Sequence, residues 1–445
     1  MSSTAVSEPN DELNLRLQLL RDQVSRVRSE GGDGALADTL VQLGNLLVES
    51  GQTAWQSGDF RAALASFEEV LLITRELKDR RGEVTILSNI GGVHDDLGVP
   101  AKALEFYGKA LRAYQETDDR RGEARALSNM GKVHYGLGSL AKALELFGEA
   151  LPIYRETGDR RGEATTLNNI GGVHDDLGDP KRALELYGQA LLIRREAEDR
   201  RGEDTTLHNM GLAQHGLGVP AKALEFYGQA LRISRETGDR RGEGTTLNNI
   251  GIVHKGLGDP QKALELFGQA LLIRREAEDR RGEATTLNNI GGVHDDLGDP
   301  QKALELFGEA LPIYRETGDR RGEATTLGNI GSVHDALGDP EGALELYEGS
   351  LPILQETGDR RGEAMALNNI GIVHKGLGDT EIASEFYAQA LYICRETGIR
   401  GGAATALSNL AFVHWSYGDT KEALNCFRES IRVREAMRAD VKDED

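Results

Sequence analysis

The chain has 445 residues, with Lys+Arg 52 against Asp+Glu 73 and a formal charge of -21 at pH 7. An acidic balance of this size disfavours binding to nucleic acid or any other polyanion. Cys394 and Cys426 are too few for a disulfide framework or a zinc knuckle, and no uninterrupted apolar stretch is long enough to span a bilayer.

The start, Met1-Ser2-Ser3-Thr4-Ala5-Val6-Ser7-Glu8, lacks the basic and apolar regions of a secretory signal. Residues 1–10 are therefore expected to be disordered, and the protein to be cytoplasmic without a membrane anchor. Residues 11 to 29 space Leu13, Leu17, Leu20, Val24 and Val27 by four and three, the stripe of an amphipathic helix. Such a helix either folds back as a cap on the neighbouring helices or pairs two chains in a short coiled coil. Terminal repeats need a cap, so the expectation is a capping segment over residues 11–37 and a monomer rather than a dimer. Gly31-Gly32-Asp33-Gly34 gives the chain room to turn.

From Asp38 to Arg438 the chain repeats. Asp-Arg-Arg-Gly-Glu begins at Asp79, Asp119, Asp159, Asp199, Asp239, Asp279, Asp319 and Asp359, and a degenerate ninth copy reads Ile399-Arg400-Gly401-Gly402. The period is 40 residues, and ten units fit. A fixed period of this length means identical supersecondary units stacked in a line, each too small to bury its apolar face alone. One continuous domain over residues 38–438 is expected, followed by an acidic tail at 439–445.

Within the unit from Asp279 to Gly318, Leu287, Ile290, Val293, His294 and Leu297 mark the inner stripe of a first helix. Leu297-Gly298-Asp299-Pro300 then reads as a helix end, an amide-capping carboxylate and a proline at the first helical position. Ala303, Leu304, Phe307, Ala310 and Leu311 form the stripe of a second helix. Connections of one to three residues force antiparallel neighbours, and no segment shows a period-two strand pattern. The fold class is all-α, a solenoid of about ten antiparallel helical hairpins.

The spacing Leu287, Ile290-Gly291, His294, Gly298, Ala303, Phe307, Ala310 resembles the tetratricopeptide repeat. His stands where that family usually has Tyr, and the unit has 40 residues in place of the usual 34. The longer unit is similar to those of LGN/Pins adaptors and bacterial scaffold proteins, and Leu167-Asn168-Asn169-Ile170 is similar to kinesin light chain repeats. The resemblance implies a right-handed superhelix whose first helices line a concave groove, a binding place for an extended peptide or helix of another protein.

Comparing the units with one another separates scaffold from readout. One polar column is constant: Asn89, Asn129, Asn169, Asn209, Asn249, Asn289, Asn329, Asn369 and Asn409. The resemblance implies that these amides hold a partner's backbone; bonding between neighbouring helices is the other reading, and both stay open. A nearby strip varies, with Asp95, Tyr135, Asp175, Lys255, Asp295 and Trp415 in one column beside Asp96, Asp176 and Asp296 in the next. Its acidic patches favour a partner segment containing Lys or Arg. Trp55 and Trp415 fall in one column at opposite ends of the array and are either binding anchors or packing residues.

Other constellations carry no chemistry. The column His94, His134, His174, His254, His294, His334, His374 and His414 offers one ring per repeat, and neighbouring helix axes lie ~8–10 Å apart, so no metal is expected. The paired arginines, Arg80-Arg81 through Arg360-Arg361, are read as helix-start charges answered by Glu83 and its equivalents. Phosphate-loop, zinc-protease and nucleophile-elbow motifs are absent. The expectation is no enzyme and no cofactor, but an adaptor that binds another protein. The alternatives are a peptide- or ligand-sensing regulator of a separate effector, and a self-assembling structural protein.

Overall fold

The computed structural model describes residues 9–30 and 33–442, which are helical except for the connecting turns. The helix α1 (Pro9–Glu30) precedes ten helix pairs. By their contacts these divide into two compact units, residues 1–209 and 210–445.

In the first unit the pairs are α2 (Asp33–Gln56) with α3 (Phe60–Glu76), α4 (Arg80–Asp96) with α5 (Pro100–Glu116), α6 (Arg120–Gly136) with α7 (Leu140–Glu156), and α8 (Arg160–Asp176) with α9 (Pro180–Glu196). The helix α10 (Arg200–Gly216) begins in the first unit and ends in the second. The second unit continues with α11 (Pro220–Thr237), then α12 (Arg240–Gly256) with α13 (Pro260–Glu276), and α14 (Arg280–Asp296) with α15 (Pro300–Glu316). It closes with α16 (Arg320–Ala336) and α17 (Pro340–Glu356), α18 (Arg360–Leu377) and α19 (Thr380–Glu396), and α20 (Arg400–Ser416) and α21 (Thr420–Lys442).

The expected disorder of residues 1–8, the turn at Gly31-Gly32 and the tail residues 443–445 lie outside the described residues. Pro9 and Asn10 already belong to α1, Asp33 opens α2 five residues before the repeat was expected to start, and residues 439–442 continue α21. The helix α1 lies on the first pair, with Leu17 and Val24 buried beside Leu40, Leu43 and Phe67. Arg21 Nη2 reaches Glu69 Oε2 at 2.6 Å, tying α1 to α3.

Each residue of the Asp-Arg-Arg-Gly-Glu unit has a separate task. Asp279 Oδ1 accepts from the Gly282 amide at 3.0 Å, satisfying a donor that the helix start leaves unpaired. The glycine is required by crowding: a Cβ at Gly322 would sit 2.2 Å from the Tyr314 ring delivered by the preceding helix. Glu283 is buried and accepts from Arg275 Nε at 2.7 Å and Arg280 Nη1 at 2.5 Å. The first arginine also ties together the two helices of its own pair, as Arg160 does to Glu196 at 2.9 Å, and the second reaches into the next repeat, as Arg281 does to Asp319 at 2.6 Å. Three levels are thereby linked by one pentapeptide: a cap, a close approach of two helices and a contact between repeats.

The apolar stripes meet inside each pair. Phe307 is 1% exposed and its ring lies over Gly291, where a Cβ would be 2.6 Å away. Burial of such a ring contributes about 2–3 kcal/mol. Ala303 and Val333 of the following first helix pack with it, and Leu287, Ala310 and Ile313 form a second cluster within the pair. Leu297, expected on the first stripe, is instead exposed, because α14 ends at Asp296 and Leu297 is its C-cap in the turn.

Successive first helices touch one another directly, α4 with α6 and α6 with α8 in the first unit, and α12 with α14 through α18 with α20 in the second. Second helices make no comparable contact among the described residues. The first helices therefore form the tighter face of each unit.

Candidate functional site

The asparagine column lies on that tighter face, and all nine residues are half-buried. Much of its bonding runs between repeats. Asn209 Nδ2 donates to Asn168 Oδ1 at 3.2 Å, Asn289 to Asn248 at 3.0 Å, Asn329 to Asn288 at 3.2 Å and Asn409 to Asn368 at 2.8 Å. The acceptors form a second column, one residue earlier in the helix. Their carbonyls also take hydroxyl donors, Thr286 to Asn248 at 3.4 Å and Thr326 to Asn288 at 3.1 Å. Sequence reasoning named the donors and missed the acceptors, although the doubled Asn in Leu-Asn-Asn-Ile was the available signal. Asn329 and Asn369 lie along the walls of an open cavity on this face.

The variable strip holds two kinds of acid. In the first kind, a large donor from one repeat meets an aspartate of the next. Trp55 Nε1 donates to Asp96 Oδ2 at 2.6 Å, Lys255 Nζ lies 3.0 Å from Asp296 Oδ2, and the Tyr135 hydroxyl faces Asp176. A glycine one turn before each aspartate makes room for the donor: added Cβ atoms at Gly92, Gly172 and Gly292 would lie 2.5 Å from Trp55, 3.1 Å from Tyr135 and 3.2 Å from Lys255. Trp55 also meets Phe67 edge to face, so it is a packing residue of the first repeat. Asp96, Asp176 and Asp296 thus have internal partners.

Acids of the second kind are Asp95, Asp175 and Asp295, all half-buried. Burial raises the Asp175 carboxyl above the usual aspartate range, and the charge of Asp176 adds to this. Burial likewise raises Asp95, with Lys132 opposing and Asp96 reinforcing. Asp295 is raised by burial and by Asp296, with Lys255 opposing. Asp335 occupies the same column in α16. In the next repeat the position that carries aspartate in the first kind is Gly136 after Asp95, Ala336 after Asp295 and Gly376 after Asp335.

At the end of the array Trp415 is 59% exposed. Near it Lys375 Nζ stands 5.0 Å above the Phe412 ring, a cation on an aromatic face.

The histidine column is structural. Its Nδ1 atoms face the aspartate at the N-cap position of the next helix, at 2.8 Å for His334 and Asp339 and 3.3 Å for His374 and Asp379. Where the capping position is Val99 or Ser139, the Nδ1 atoms of His94 and His134 are buried without a partner. The ring of His94 stacks on Phe106. No helix among the described residues is long and apolar enough to cross a membrane.

No curated protein matches the chain in sequence. Solved structures share its fold. The quorum sensor NprR from B. thuringiensis, in its apo form, aligns with a TM-score of 0.56 at 16% identity over 77% of this chain and 99% of that one. A Rap protein complexed with competence and sporulation factor aligns with a TM-score of 0.56 at 15% identity over 80% and 99%. Apo RapI gives 0.50 at 17% identity over 62% and 99%. The tetratricopeptide repeat family matches residues 42–116 and 122–196, and then in overlapping steps 162–236, 202–276, 242–316, 282–356, 322–396 and 362–436. With that match spanning the helix pairs, and with the small-over-aromatic contact of Gly291 and Phe307 recurring from pair to pair, the chain belongs to the tetratricopeptide repeat family.

Proposed function

We propose that this protein is a noncatalytic adaptor whose first-helix face binds an extended or helical segment of another protein, one containing Lys or Arg. The observation that carries the reading is Asp175, a half-buried carboxylate held above its ordinary range by burial and by Asp176. An incoming ammonium or guanidinium relieves that cost, whereas Asp96 and Asp296 are already answered from within. Half-buried amides such as Asn329 and Asn369 offer paired donors and acceptors to a peptide backbone.

Tetratricopeptide arrays are in general interaction modules rather than catalysts, which supports the same reading. The likeness in fold to a Rap protein solved with a signalling factor, and to a protein described as a quorum sensor, favours a second version. In that version the bound segment is a short signal peptide and the array regulates a separate effector.

Fluorescence anisotropy with a panel of labelled Lys/Arg-containing peptides and acidic counterparts tests the proposal. Basic peptides should bind, and Asp95→Asn with Asp175→Asn should weaken them roughly 3–10-fold at low salt and less at high salt. Binding to the ionised carboxylates should also weaken on acidification. Because the free acids have raised pKa values, protons compete for them at a pH above that of an ordinary aspartate. Equal binding of acidic peptides, or indifference to both substitutions, would overturn the proposal.

A further inference from the structure

Between α16, α17 and α18 the first-helix face opens into a cavity of about 340 Å³. Three short side chains make it. Leu354 stands where Tyr114, Tyr154 and Tyr314 stand in other repeats, Gly328 where Asn168, Asn248, Asn288 and Asn368 stand, and Ala366 where Thr286 and Thr326 stand. The second-helix side chain is also short at Ser234 and Cys394, but His208 and Asn368 occupy the column that holds Gly328.

Tyr314 shows what fills the equivalent space one repeat earlier. Its ring lies over Gly322, and its hydroxyl donates to Thr285 Oγ1 at 3.4 Å. The hydroxyl matching Thr285 is Thr325, and it lines the cavity. Asn369 is freed as well: with Gly328 one repeat back there is no carboxamide for it to bond, and it lines the cavity together with Tyr347.

We propose that this cavity receives an aromatic side chain, tyrosine or phenylalanine, from a peptide partner; this rests on reading the first-helix face as a peptide-binding surface. The ring takes the place that Leu354 leaves empty. Buried Leu354 and Ala324 form the apolar floor, and the exposed Met365 thioether borders the ring. A phenol hydroxyl reaches Thr325 as Tyr314 reaches Thr285. The volume is at the small end for ligand pockets and matches one side chain rather than a cofactor.

Met365 provides the reporter, since the chain's other methionines are Met1, Met130, Met210 and Met437. In the full chain carrying carbon-13 methionine methyls, Met365→Leu assigns the signal by removing it. N-acetyl-tyrosinamide and N-acetyl-phenylalaninamide should shift that signal saturably, with half-saturation on the order of 1–10 mM. N-acetyl-glycinamide and N-acetyl-lysinamide should not. Leu354→Tyr should weaken the response at least tenfold in protein whose melting temperature is unchanged or higher, and Gly328→Asn should do the same from the opposite wall. An unmoved Met365 signal, an equal response to the glycine probe, or a full response in folded Leu354→Tyr protein would each overturn the proposal. The two readings fail separately. Aromatic probes that bind an array indifferent to every peptide refute the peptide face alone, and peptide binding insensitive to both filling substitutions refutes the cavity alone.

Discussion

A single column position changes its chemistry with its neighbours. His208 stands where Asn168 and Asn248 stand, and burial pushes its pKa down to about 4. Its folded value lies below the ordinary histidine value of 6.5, so the unfolded chain binds the proton more readily. Stability is therefore expected to be full above pH 6.5 and to fall as the pH drops towards 4. His208→Asn should flatten that part of the curve in thermal melts between these two pH values. A slope unchanged by the substitution would assign the acid sensitivity elsewhere.

The residue scale is also where sequence and geometry part. The constant asparagine column was legible because a 40-residue period exposes any invariant position. Its direction of bonding was not, because the acceptor sits one residue and one repeat away, and only the packing of first helices brings the two together. The strip was legible as variation, yet Asp96, Asp176 and Asp296 looked like recognition residues. Their donors, Trp55, Tyr135 and Lys255, each lie 41 residues earlier, a separation that means nothing until the helix offset between repeats is known.

At the scale of the element, caps and turns followed the sequence closely, since Gly-Asp-Pro and the Asp of the pentapeptide act through backbone amides a few residues away. The exceptions point to an experiment. Val99 provides no side-chain cap for α5 and leaves His94 Nδ1 buried and unpaired. Val99→Asp supplies both partners at once, as Asp339 does for Gly342 and His334. The variant should be more stable by about 1–2 kcal/mol, read as a higher denaturant midpoint with an unchanged slope. The gain should include a rise in the His94 pKa, which burial now holds low. A neutral or destabilised variant would mean that the cap and the histidine cannot be satisfied together.

For the molecule as a whole, repetition makes the chain editable, but only at chosen seams. Deleting residues 297–336 removes one period while leaving Lys255 and Asp296 together. It also removes Gly328 and presents Asn288 to Asn369. Deleting residues 279–318 removes the same length but leaves Lys255 facing Ala336 in the new alignment. Both shortened chains should fold, because each unit buries its stripe against its neighbours, and the first should melt at the higher temperature. Circular dichroism melts of the pair decide the matter, and a reversed order would show that the lysine–aspartate contact carries no weight.

The same contact shapes how such an array diverges. Lys142–Leu167 is identical to Lys302–Leu327, a copy displaced by 160 residues. The residues that flank these copies have not stayed identical. Tyr135, Gly172 and Asp176 in the first have become Asp295, Ser332 and Ala336 in the second. Donor, clearance and acceptor differ as a set, while the 26 residues of Lys142–Leu167, which lie between the donor and the other two, are untouched. Duplication copies the repeat, but what is inherited or lost together is the join between two repeats. A lineage of such arrays would therefore carry its memory in the joints, with neighbouring repeats matched like adjacent pieces of one puzzle and poorly suited to being shuffled.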